Sequence, residues 1–107
     1  MLNNLKSQMR KGLLEYCILS IISRGEAYAS DILEVLEQAH LLVVEGTVYP
    51  LLTRMKNEEL LTYRWQESTG GPPRKYYSLT VNGELLLKQL DDEWQSIQQA
   101  IKQVTQP

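Results

Sequence analysis

The stretch Gly46–Thr80 constrains the fold more than any other part of the chain. It opens with Gly46-Thr47-Val48-Tyr49-Pro50-Leu51-Leu52-Thr53-Arg54-Met55-Lys56. Pro50 has no N–H to donate, so a helix through this segment has to begin within about one turn of it, near Gly46. Val48, Leu51, Leu52 and Met55 then form a buried stripe at helical spacing. Thr47, Tyr49, Pro50, Thr53, Arg54, Lys56 and Asn57 are left outside. Leu61, Tyr63 and Trp65 next alternate with Thr62, Arg64 and Gln66, the period of two that marks a strand. Gly70-Gly71-Pro72-Pro73 must break the chain. Lys75 to Leu79 returns as a second strand, and Arg74 and Lys75 place two adjacent cations on the hairpin.

A short amphipathic helix followed at once by a basic β-hairpin is the layout of a winged helix-turn-helix. There the helix enters the major groove of DNA and the hairpin, the wing, touches the flanking backbone. The formal net charge of −2 does not suit a nucleic-acid binder. Its distribution suits one better. Residues 1–12 carry Lys6, Arg10 and Lys11 and no acid, a net +3. Residues 13–45 set six acids against Arg24, a net −5. Residues 46–79 hold five cations against Glu58, Glu59 and Glu67, a net +2, where the helix and wing need it. Residues 80–107 return to −2.

The rest of the chain supplies the support. A first helix over about Leu5–Ser23 is expected to bury Leu13, Leu14, Cys17, Ile18 and Ile21, with Tyr16 and Leu19 on its opposite side. Apolar residues on two sides call for two neighbours, the core and either a partner subunit or a ligand. A second helix over about Tyr28–Gln38 buries Ile32, Val35, Leu36 and Ala39, and Leu41–Val44 reads as a short strand. The last helix starts at Thr80, an N-cap residue, and runs to about Val104. Its Leu87, Leu90, Trp94, Ile97, Ile101 and Val104 repeat at heptad spacing. A domain this small cannot cover such a rod alone, so its distal half is expected to pack on a second copy. The single cysteine and the absence of a signal-like or membrane-spanning apolar run point to a reducing compartment, most simply the cytoplasm.

No nucleophile–base pair, phosphate loop or metal cluster marks an enzyme, and no cofactor is implied. Asp91-Asp92-Glu93 fan around a helix and read as a solvated face. Cys17 reads as a small core residue and His40 as a surface loop residue. The DNA-contact candidates are Thr47, Tyr49, Arg54 and Lys56 on the helix and Arg74 and Lys75 on the wing. The bland readings stand beside them: a solvated helix face, a tyrosine capping the core, charges that blunt an edge strand. Trp94 serves first as an interface anchor, but its bulk also leaves room for a flat ligand between two copies of the helix.

These residues resemble the PadR-like transcriptional regulators of the short branch, with a single C-terminal helix. The resemblance covers about residues 9–95. It rests on Tyr28-Ala29-Ser30-Asp31-Ile32, on Gly46 to Met55, and on Gly70-Gly71-Pro72-Pro73-Arg74-Lys75-Tyr76-Tyr77-Ser78-Leu79-Thr80. It implies a mainly α fold with a small β-hairpin, a DNA-binding unit over 1–79 and a dimerisation helix over 80–107. It implies a homodimer that represses from double-stranded operator DNA and is released by a small molecule. The family's DNA-contacting positions fall on Thr47, Tyr49, Arg54, Arg74 and Lys75. Its drug-binding pore falls on Trp94, with Leu87, Tyr16 and Leu19 as neighbours and a planar aromatic or cationic effector. Pro72 and Ser78 stand where the family often has cations, which implies weaker non-specific DNA affinity. A winged helix used only for protein interaction remains the alternative, and the acidic total suits it.

Overall fold

The computed structural model describes residues 1–41 and 45–106. Among the described residues, five α-helices and three strands follow in the order α1 (Leu2–Lys11), α2 (Leu14–Ser23), β1 (Ala27–Tyr28), α3 (Ala29–Gln38), α4 (Val48–Asn57), β2 (Leu61–Ser68), β3 (Gly71–Leu79) and α5 (Val81–Thr105). A single 3-10 turn, Glu45–Thr47, leads into α4. The fold is mainly helical with a small antiparallel sheet, as the sequence implied. The strand expected at Leu41–Val44 falls on residues 42–44, outside the described residues.

The first expected helix is two. Gly12 is about 1 kcal/mol less favourable than alanine inside a helix. Beside it, the Leu13 N–H turns back to Arg10 O at 3.0 Å, and the Cys17 N–H restarts the ladder on Leu13 O. The α2 stripe therefore consists of Leu14, Ile18, Leu19 and Ile22. Leu19 is fully buried, which corrects its expected place on a second, ligand-facing side. Ile32 and Leu36 of α3 and Val48, Leu52 and Met55 of α4 complete the helical core. Val35 and Ala39, expected inside, are exposed. Truncating a fully buried residue such as Leu52 to alanine costs about 2–5 kcal/mol at a site of this kind.

β1 and β2 both pair antiparallel with the central strand β3, in the order β1-β3-β2. Tyr28, expected to open the second helix, instead forms β1 with Ala27, and the two pair with Tyr76 and Tyr77 respectively. Leu61, Tyr63 and Trp65 stand opposite Leu79, Tyr77 and Lys75. The break in the chain is tighter than Gly70–Pro73. The turn lies at Thr69–Gly70, where Gly70 holds φ 80°, and both prolines sit in β3. They are tolerated because the register shifts between Gln66 and Ser68, which relieves that end of β3 of regular ladder bonds. Ser68 Oγ donates to Pro72 O at 2.9 Å and fixes the tip.

The start of α5 is clamped to the turn after α4. The Thr80 hydroxyl accepts from Gly83 N at 3.0 Å and donates to Glu59 O at 2.6 Å, while Thr80 N donates to Leu60 O at 3.1 Å. A Cβ on Gly83 would stand 2.2 Å from Leu60 O, so only glycine fits this crossing. Leu86, Leu87 and Leu90 then pack, half-buried, on the subunit's own core. Beyond Trp94, Ile97, Ile101 and Val104 are exposed. The 25 residues of α5 span about 37 Å and stretch the chain to 56 Å in its longest dimension. No helix among the described residues is long and apolar enough to cross a membrane.

Candidate nucleic-acid interface

The outer face of α4 and the near face of the β2–β3 hairpin enclose a cleft of about 360 Å³. Tyr49 and Thr53 line it from the helix; Trp65, Arg74 and Lys75 line it from the hairpin; Tyr28 and Ser30 close it at the head of α3. Tyr49 reaches it because the 3-10 turn and Val48 place the second residue of α4 on the side away from the core. It stays 51% exposed despite its size. Lys75 sits opposite Trp65 in the ladder, so both side chains leave the sheet on the same face. The Lys75 Nζ lies 4.7 Å from the Tyr63 ring and 5.7 Å from the Trp65 ring.

Arg74 leaves β3 on the face opposite Lys75 and lines the cleft from its Tyr28–Ser30 side. Its guanidinium stacks 3.9 Å from the Tyr28 ring centroid and donates to the Ser30 hydroxyl. Tyr28 in turn stacks on Tyr76 at 4.5 Å, and Arg64 covers Tyr76 at 4.9 Å. Arg64 ends the ladder on Glu26, with Nε donating at 2.9 Å, and this carboxylate holds the guanidinium above its usual pKa. The Tyr28 N–H donates to Asp31 Oδ2 at 2.9 Å, which fixes the residue at the α3 head. Arg74 is thus held in one place by aromatic faces, leaving its remaining N–H groups free to bond a phosphate.

Of the six residues expected to touch DNA, the structure gathers Tyr49, Arg74 and Lys75 in the cleft. Lys56 lines a different cleft, with Asn57, Leu61 and Thr80, and its Nζ lies 5.8 Å from the Tyr63 ring. Thr47 is the half-buried residue before α4. Arg54 stands apart. It pairs with Glu15 of α2 and, through Nε at 3.8 Å, with Glu58. Sequence reasoning missed Trp65, Tyr28 and Ser30 as cleft residues. The alternation of β2 would have put Trp65 on the same face as Tyr63, but not how far α4 extends beneath it.

The face expected to take a ligand is partly assembled. The Tyr16 hydroxyl donates to Asp91 Oδ1 at 2.5 Å, which ties α2 to α5 one turn before Trp94. That bond, with partial burial, pushes the Tyr16 phenol up to about 12. Trp94 is half-buried, and Leu87 lies lower on the same helix, in a separate cleft with Ile22, Ser78 and Asp91.

The sequence model of the transcriptional regulator PadR-like family matches residues 18–89. A PadR-like transcription factor from Bacteroides fragilis is 55% identical and superimposes with a TM-score of 0.79, over 95% of this chain and 99% of that one. A PadR-like transcriptional regulator from Bacillus cereus is 37% identical with a TM-score of 0.82, over 94% and 99%. Bacillus subtilis PadR in complex with operator DNA is 25% identical with a TM-score of 0.67, over 73% of this chain and 46% of that one.

Proposed function

The chain belongs to the PadR-like family of transcriptional regulators, and from that premise we propose that it is a dimeric repressor, acting in the cytoplasm, that grips double-stranded operator DNA with α4 and the wing and is released by a small molecule. The observation that carries this reading is the cleft that joins Tyr49 to Arg74 and Lys75. A duplex laid across it meets an exposed aromatic ring from the helix and two cations from the wing. Phosphate contacts by Arg74 and Lys75 set the position, and Tyr49 with Thr53 lies against sugar and base edges. Thr47 and Lys56 extend the contact along the backbone. The likeness to a PadR in complex with operator DNA supports DNA as the partner.

Residues 1–79 then act as the DNA-binding unit and residues 80–107 as the dimerisation helix. Ile97, Ile101 and Val104 leave an apolar stripe uncovered, and a second α5 is its natural partner. Leu90, half-buried, joins the contact from the proximal end. Two copies of Trp94 face each other there, with Tyr16 and Leu87 nearby, and take a planar aromatic effector. Asp91 favours a cationic one. Such a ligand releases DNA only if it prefers a dimer geometry in which the two recognition helices are misplaced.

Selection of bound duplexes from a random pool tests the reading. The expected product is a near-palindrome with half-sites about one helical turn apart. Enrichment should be lost in Tyr49→Ala, and the free protein should sediment as a dimer at micromolar concentration. No enriched sequence together with a sedimenting monomer would leave a protein-interaction module as the better reading.

A further inference from the structure

Trp65 is the largest side chain that the fold leaves uncovered beside the proposed DNA surface. Its indole is 60% exposed, although the neighbouring Leu61 and Tyr77 of the same sheet are buried. The ring is not loose. It stands edge-on to Tyr63 at 5.8 Å and 83°, and the Lys75 ammonium lies 5.7 Å from it. Holding an indole in water in one orientation gains the isolated subunit little, since the hydrophobic gain comes only from area removed from water.

The surroundings select the occupant. Trp65 shares its cleft with Tyr49 and Thr53 of α4 and with Arg74 and Lys75 of the wing. A partner that covers the indole must also neutralise two cations and fit between a helix and a hairpin. A sugar-phosphate backbone does so: deoxyribose offers an apolar edge, and the phosphates on either side of it meet the cations. A peptide would need an acidic side chain at both cation positions.

We propose that Trp65 is a DNA-anchoring residue, whose indole packs on a deoxyribose of the backbone strand crossing from α4 to the wing while Lys75 and Arg74 hold the adjacent phosphates. The proposal rests on the reading of the chain as a DNA binder and deepens it. Trp65 adds an apolar contact at the centre of a polar interface, the setting in which tryptophan contributes most. Because the contact is to sugar, it is made on any sequence. Because it carries no charge, it does not add to the salt dependence, which counts phosphates alone.

The test uses the full chain labelled with 5-fluorotryptophan and a duplex of mixed sequence at low salt. The protein has two tryptophans, so two fluorine resonances are expected, and Trp65→Leu identifies one of them by its loss. Saturation with duplex should shift the Trp65 resonance and reduce its solvent isotope effect. Trp65→Leu, checked as folded by circular dichroism, should bind at least about tenfold more weakly with an unchanged slope of affinity against salt. An unshifted, solvent-exposed Trp65 in the saturated complex overturns the proposal. So does a variant whose salt slope falls by about one, because Trp65 would then only steer Lys75. If the parent chain itself binds the duplex without a steep salt slope, the reading of the chain as a DNA binder fails instead.

Discussion

Arg54 lies on α4 but is held by Glu15 and Glu58. Replacing Glu15 by glutamine keeps the shape and removes the competing charge. The side chains are 51% and 39% exposed, so the pair contributes only about 0.2–1 kcal/mol to folding. The variant should therefore fold and melt close to the parent. On DNA the balance changes sign. An Arg54 released to phosphate recovers the same free energy, which is about 1.5–5-fold in affinity, and adds about 0.9 to the slope of log affinity against log salt. Fluorescence anisotropy of a labelled duplex, titrated over a range of KCl, reads both quantities. Removing an acid also lessens general repulsion, so Glu15→Gln belongs in an Arg54→Ala background as well. The gain should vanish there. Equal gains in both backgrounds would refute the release of Arg54 and leave Glu15 as a plain source of repulsion.

Gly83→Ala should lower stability by about 1–3 kcal/mol or more, read as a drop in melting temperature, because the new methyl group meets the Leu60 carbonyl rather than a movable side chain. His40 sits at φ 59° just after α3, where the Leu41 N–H closes on Leu36 O at 2.9 Å. His40→Gly should therefore stabilise the protein by roughly 0.5–1 kcal/mol in urea unfolding, since the left-handed conformation costs a non-glycine residue about 1–2 kcal/mol. The raised phenol of Tyr16 gives stability that is complete below pH 10 and lost as pH rises towards about 12. Tyr16→Phe should flatten that alkaline loss in thermal melts taken across the same range.

The helix–hairpin unit was legible because the apolar period changes from helical to two at Leu61, and because Pro50 and Thr80 mark helix starts by chemistry rather than by preference. The split at Gly12 was not, since a single glycine is often tolerated within a helix and only the Leu13–Arg10 bond shows the axis turning. Leu19 lies only about 60° round the helix from Ile22, so it belongs to a core face wider than the expected stripe. Pro72 and Pro73 looked like a turn because prolines end strands; the bulge beside Gln66 lets them remain in one. At the site, the helical and strand periods put Tyr49, Arg74 and Lys75 outside the core, and the structure gathers them in one cleft. The hold of Glu15 on Arg54 joins residues far apart in the chain and leaves no local trace. Trp65 was hidden for a related reason: alternation gives the side of the sheet, not what lies across from it.

If α4 and the wing form a surface for DNA phosphates, binding must depend steeply on salt. Affinity for a mixed-sequence duplex should fall linearly on logarithmic axes as salt rises, with a slope of about −0.9 for each phosphate neutralised. Arg74→Ala should lower the magnitude of that slope by about one and weaken every sequence alike. A parent whose affinity hardly changes with salt, or an Arg74→Ala variant with the parent's slope, would contradict the account.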